Sequence, residues 1–204
     1  MSGISPLQGI HKKGLFGDHY KKKESDLLQI SEIKNVVIIQ IVQYKKSKLT
    51  LKEMQIDGLQ FPVKNSSVVS DETTRILWNA PNTWLVVSKN KNIFKIIKKT
   101  CSDDNFAVTD ISHSRAIVQI KGKDAREVLK KGSPLNYNEF RNNNCASTVF
   151  NGITIIVDQI SENPDEFNIF ALSESIAPFK SFEYKTDAIP LFSSIVIVPS
   201  PLKS

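Results

Sequence analysis

The sequence lacks most of what a catalytic or exported chain would display. Its two cysteines, Cys101 and Cys145, are too few for a disulfide framework and lack CxxC spacing, so both are expected to be free thiols. The three histidines, His11, His19 and His113, are far apart and form no zinc-type cluster. The eight glycines are dispersed, and none forms a Walker loop, a GxGxxG turn or a GxSxG elbow. No apolar stretch approaches the ~20 residues of a membrane-spanning helix. The longest outside the tail, Val36 to Val42, is broken by Gln40. The first residues mix Lys, His, Gly and Asp without an apolar core, so no export signal is read and a cytoplasmic location is expected.

Arginine is also scarce. Only Arg75, Arg115, Arg126 and Arg141 stand among 27 basic residues; the others are lysines. A nucleic-acid surface usually concentrates Arg with aromatics. Here the lysines are scattered over 21–23, 45–48, 95–99 and 130–131. Lys, Asn and Ile share A/T-rich codons, so genome composition accounts for part of the net charge of +6. The charge therefore reads as solvated helix faces and loops, with neither nucleic acid nor membrane as partner.

What is present is a globular composition: 204 residues, 40% hydrophobic and 24% charged. That suits one large domain or two small, tightly packed halves. Residues 1–34 read as an arm leading into a helix, with Leu27, Leu28, Ile30 and Ile33 as its apolar positions. Val36 to Tyr44 reads as a strand buried on both faces. Ser47 can cap a helix reaching about Ile56 and ended by Gly58. Strands follow at 73–78 and 83–88 around the turn Asn79-Ala80-Pro81-Asn82. A helix spans 91–100, with Ile93, Phe94, Ile96 and Ile97 on its apolar side.

Further strands are expected at 106–110 and 115–121, and a helix at 124–131 with Gly132 as its left-handed stop. Ala146 to Phe150 and Ile153 to Ile160 flank Asn151-Gly152, a strong hairpin signal. A strand at 166–172, a helix from Ser173 to about Tyr184 and an extended tail complete the chain. This order implies an α+β fold of antiparallel or mixed sheets with packed helices. The domain, 35–186, divides into halves of related order, about 35–105 and 106–186. The arm is 1–34 and the tail 187–204, with its apolar run Ile195 to Val198.

Candidate functional residues are few. Trp78 and Trp84 could be core residues at strand ends or anchors of an interface; the core reading is favoured, since large aromatics are usually mostly buried. Asp110, Ser112 and His113 are sequence neighbours, a poor basis for a triad, whose members normally converge from separate segments. They read as a polar turn. A four-residue turn over 111–114 would set Asp110 opposite Arg115, with Val108 facing Ile117 and Ala107 facing Val118. The competing reading has Arg115 reaching a partner's carboxylate or a ligand.

Several segments together resemble the gamma subunit of heterotetrameric sarcosine oxidase. They are Ser5-Pro6-Leu7, Leu77 to Leu85 (LWNAPNTWL), Val108 to Arg115 (VTDISHSR), Gly122 to Gly132 (GKDAREVLKKG), Pro134-Leu135 and Cys145 to Thr148 (CAST). Their order and spacing are the signal, strongest from Leu77 to Val157. The family's fold is similar to the folate-binding domain of aminomethyltransferase T proteins. T proteins carry carboxylates shortly after the hairpin glycines, where this chain has Ile155 and Ile156, which cannot take a proton.

The resemblance implies a noncatalytic structural subunit of an assembly that oxidatively demethylates sarcosine to glycine and passes the one-carbon unit to tetrahydrofolate. It implies direct contact with the alpha subunit, beta and delta as further partners, no cofactor on this chain, and FAD, FMN, NAD, tetrahydrofolate and zinc on the others. Trp78, Trp84, Asp110, Ser112, Arg115, Gly132 and Cys145 become structural or interface candidates. The alternative is a free-standing folate-binding one-carbon protein of the T-protein kind.

Overall fold

The computed structural model describes residues 14–16, 27–51 and 54–173. In chain order the elements are β1 (Gly14–Phe16), β2 (Leu28–Ile33), β3 (Val37–Gln43), β4 (Gln55–Ile56), β5 (Leu59–Gln60), β6 (Val68–Ser70), β7 (Thr74–Ala80), β8 (Thr83–Ser88) and α1 (Ile93–Thr100). Then come β9 (Phe106–Asp110), β10 (Arg115–Lys121), α2 (Ala125–Gly132), β11 (Cys145–Phe150), β12 (Ile153–Glu162) and β13 (Asp165–Leu172). The architecture is sheet-rich, with two helices among the described residues. One sheet runs β6-β7-β8-β3-β9 and the other β1-β2-β10-β13-β12-β11, with β4-β5 as a small separate ribbon. The two large sheets share a winding: β3 lies beside β8-β7-β6 just as β10 lies beside β13-β12-β11.

Alternation of side chains along the strands builds four layers. Ile39 and Ile41 of β3 face outward with Ile76, Val86 and Phe106, and α1 covers them with Ile93 and Ile97. Full burial of each such isoleucine contributes roughly 1.5–3 kcal/mol. Ile38 faces the other way. With Leu77, Leu85 and Val87 it meets Ile117, Ile156 and Phe170 of the six-stranded sheet. On that sheet's outer face Leu28, Ile30, Ile120, Val157, Phe167 and Ile169 pack against Ala125, Val128 and Leu129 of α2. The layer order is α1, five-stranded sheet, six-stranded sheet, α2. Coverage on both faces explains why β3 reads as a near-continuous run of β-branched residues.

The structure departs from the sequence reading at four places. Leu28–Ile33 is a strand, not a helix; it pairs with both β1 and β10 and buries Leu28 and Ile30 under α2. Of the helix expected over 47–56, the described residues 47–50 are irregular and Gln55-Ile56 instead pairs with Leu59-Gln60. Asp57 and Gly58, at φ 53 and 83, turn that hairpin, so Gly58 is a turn glycine rather than a helix stop.

The third departure is the proposed β9–β10 hairpin. β9 pairs with β3, placing Asp110 opposite Ile39, while β10 pairs with β2 and β13, placing Arg115 opposite Leu172. Residues 111–114 carry the chain from one sheet to the other, so Asp110 and Arg115 never face each other across a ladder. Last, Gly132 ends α2 without a left-handed φ. A Cβ there would lie 2.5 Å from the Phe150 ring, so the position needs glycine for close approach. The helix expected beyond Ser173, and the tail, lie outside the described residues.

Candidate functional site at the seam between the sheets

A polar seam runs where the two sheets meet. Arg75 on β7 reaches across to Asp158 on β12, with Nε donating to Oδ2 at 2.9 Å and Nη2 to Oδ1 at 2.8 Å. Nη1 donates to Ser70 Oγ at 3.0 Å and Nη2 also to Asn143 Oδ1 at 3.3 Å. The Asp158 side chain is wholly buried. Burial pushes its carboxyl above the ordinary range, and the Arg75 guanidinium opposes that shift. Nearby, Val68 N donates to Asn143 O and Cys145 N to Ser66 O, both at 2.9 Å, stitching the two sheets through backbone bonds. Ser66 and Asn143 both take left-handed φ to make this crossing.

Cys145 sits inside the seam, opposite Asp158 on the neighbouring strand. Its thiol donates to Trp78 O at 3.1 Å. Burial, with the Asp158 charge adding to it, pushes the thiol up to about 12. Cys101 is buried under α1 and pushed up to about 11. Neither thiol has the exposure or the electropositive surroundings of a nucleophile.

Trp84 is buried; its Nε1 donates to Pro62 O at 2.9 Å and its ring meets Phe61 edge-on at 5.2 Å. It is a core residue. Trp78, directly opposite it across β7–β8, is half-buried against the same core. Asp110 accepts from Ser112 N at 2.9 Å and Ser112 Oγ at 2.6 Å, and Ser112 Oγ accepts from Ile38 N at 2.9 Å. The D-x-S segment is thus a corner that satisfies a strand N–H. His113 is exposed, and its described contact is backbone: its carbonyl accepts from Ser173 Oγ. Ile155 lies in the core beneath α2 and Ile156 in the core between the sheets.

A second, partly buried ion pair ties α2 to β13. Arg126 forks onto Asp165 at 2.7 and 3.1 Å, donates to the carbonyls of Tyr137 and Phe140, and lies over the Phe167 ring. Neither Arg75–Asp158 nor Arg126–Asp165 was among the sequence candidates. The partners are 83 and 39 residues apart, and nothing local marks them. Scarcity of arginine is the one usable signal, since Arg is the side chain suited to buried forks. Among the described residues no helix is long and apolar enough to cross a membrane, and no three His, Cys, Asp or Glu side chains group as metal ligands would.

The family model of the sarcosine oxidase, gamma subunit family matches residues 48–171. Among solved structures, the chain is similar to a chain of heterotetrameric sarcosine oxidase from Corynebacterium sp. U-96, determined in complex with pyrrole 2-carboxylate. Identity is 18% and TM-score 0.70, over 90% of this chain and 99% of that one. The glycine cleavage system aminomethyltransferase T from Bartonella henselae matches at 13% identity and TM-score 0.49, over 72% of this chain and 42% of that one. Comparison with curated proteins finds no match. At 18% identity the sarcosine oxidase structure speaks for the fold alone, while the family model covers more than half of the sequence, and the chain belongs to the sarcosine oxidase gamma subunit family.

Proposed function

We propose that this chain is a noncatalytic structural subunit of a heterotetrameric sarcosine oxidase, in direct contact with the alpha subunit and assembled with beta and delta. The observation that carries the reading is the match to the gamma subunit family over 48–171. The chemistry of the interior supports it. The buried Asp158 and the partly buried Asp165 are held by arginine forks, and both thiols are buried and pushed far above neutral pH. Each of these groups serves packing. Where a T protein carries carboxylates, Ile155 and Ile156 fill two different cores. On this reading the flavins, NAD, tetrahydrofolate and zinc reside on the other subunits, and the assembly demethylates sarcosine in the cytoplasm.

The test is coexpression of the alpha, beta and delta subunits with and without this chain. Complex mass and sarcosine-dependent peroxide release are then measured. A complete, active complex is expected only when this chain is present, and the chain alone is expected to be colourless and inactive. Full assembly and activity without it, or peroxide released by it alone, would overturn the reading.

A further inference from the structure

Three of the four arginines have partners: Arg75 holds the buried Asp158, Arg126 the partly buried Asp165, and Arg141 donates to the carbonyls of Asn138 and Phe140. Arg115 differs. Among the described residues its guanidinium has no hydrogen bond and no ion pair, yet it is half-buried. Burial holds it below its usual range. Asp110, the carboxylate nearest in sequence, is engaged by Ser112 and belongs to the other sheet.

The register explains where Arg115 stands. Ile117 and Phe170 are cross-strand partners in the core between the sheets. Arg115 and Leu172 are the next pair on that face, one step out at the rim. Leu172 is 40% exposed, and Ile111 packs at the border of the same core. The rim therefore presents a partly desolvated cation beside an exposed apolar side chain. Among the described residues nothing compensates the water that this guanidinium has lost, and uncompensated desolvation of a cation is a cost. It is recovered when a carboxylate closes a fork on it in a site that excludes water. Arginine beside apolar contacts is also the usual make-up of an interface hot spot.

We infer that Arg115 is the anchor by which this chain receives an Asp or Glu side chain of a partner subunit, with Leu172 as the adjoining apolar contact. Charge complementarity selects the occupant, since among protein side chains the Asp and Glu carboxylates answer both the charge and the fork. This inference rests on the subunit reading above, and the experiment separates the two. Purified wild-type chain, Arg115→Gln and Arg115→Lys are titrated against purified alpha subunit at physiological salt. Urea unfolding of each free chain is followed in parallel.

The expected result is binding by wild type, a loss of about tenfold or more for Gln, and a smaller loss for Lys, which keeps the charge but not the fork. The free Gln variant should unfold at a urea midpoint no lower than wild type. Equal binding by wild type and Arg115→Gln overturns the anchor while leaving the subunit reading intact. Failure of wild type itself to bind overturns the subunit reading. A lower unfolding midpoint for the Gln variant, or Arg115-dependent self-association of the free chain, assigns the side chain to the fold or to a second copy and overturns the inference.

Discussion

Asp158 is the residue whose environment is most demanding, because its carboxylate is buried between two sheets and Arg75 is the cation that answers it. Removing one partner of such a pair leaves an uncompensated buried charge, at about 3–5 kcal/mol. Arg75→Met should therefore destabilise the chain by that order, while Arg75→Met combined with Asp158→Leu should cost much less than the sum. The pH dependence follows from sign. Burial already raises the Asp158 carboxyl, and loss of Arg75 removes the opposing pull. A raised carboxyl contributes stability below its unfolded pKa and loses it as pH rises through the folded value. The deficit of Arg75→Met relative to wild type should thus be least near about pH 4 and grow toward neutrality. A deficit that is flat with pH in paired urea titrations would contradict this account. Gly132 makes a different demand. With no left-handed φ, Asn should be no better tolerated than Ala. Both substitutions should cost about 1–3 kcal/mol from the collision with Phe150, and Phe150→Leu should relieve part of it.

At the scale of elements, the corner over 111–114 shows how a short linker can mislead. Four residues between two strands look like a hairpin, but the corner moves the chain between sheets. Ser112 is the residue that closes it, so Ser112→Ala leaves the Ile38 N–H without its acceptor and should cost about 1–3 kcal/mol. Asp110→Asn should be non-additive with Ser112→Ala, since the carboxylate holds that hydroxyl. Asp110→Asn and Arg115→Gln should add within about 0.5 kcal/mol, and strong coupling between them in thermal or urea unfolding would restore the hairpin. Local signals made most elements legible. β-Branched runs gave β3, β8 and β10, the Asn151-Gly152 turn gave β11 and β12, and amphipathic spacing gave α1 and α2. The failures have physical causes. Leu27, Leu28, Ile30 and Ile33 satisfy helical spacing, yet β10 offers them a sheet edge far along the chain, and tertiary pairing overrides a short local pattern. The pairings of β9 with β3 and of Arg75 with Asp158 carry no local mark, so neither the sheet assignment nor the seam could be read beforehand.

The whole molecule is interlocked by its topology. The six-stranded sheet takes β1 and β2 from before the five-stranded sheet begins and β10 to β13 from after it ends. The six-stranded sheet therefore cannot be completed until the chain has passed through the whole of the five-stranded one. Between them lies a continuous core of Ile38, Leu77, Leu85, Ile117, Ile156 and Phe170, crossed by the Arg75–Asp158 fork. A domain built this way should lose both sheets in one cooperative transition. Probes already lie in separate layers. Trp78 and Trp84 report the five-stranded sheet, Cys101 the layer beneath α1, and Cys145 the seam. Both thiols are buried and pushed far above neutral pH, so they should react with a disulfide reagent only after unfolding. In urea, tryptophan fluorescence and thiol reactivity of the single-cysteine variants Cys101→Ala and Cys145→Ala, each compared within its own variant, should give one shared midpoint. Arg75→Met should move the midpoint without splitting it, because the apolar core still joins the layers. Cys145 reacting well before the tryptophan signal changes would mean the sheets separate while each stays folded, and the interlocked description would fail.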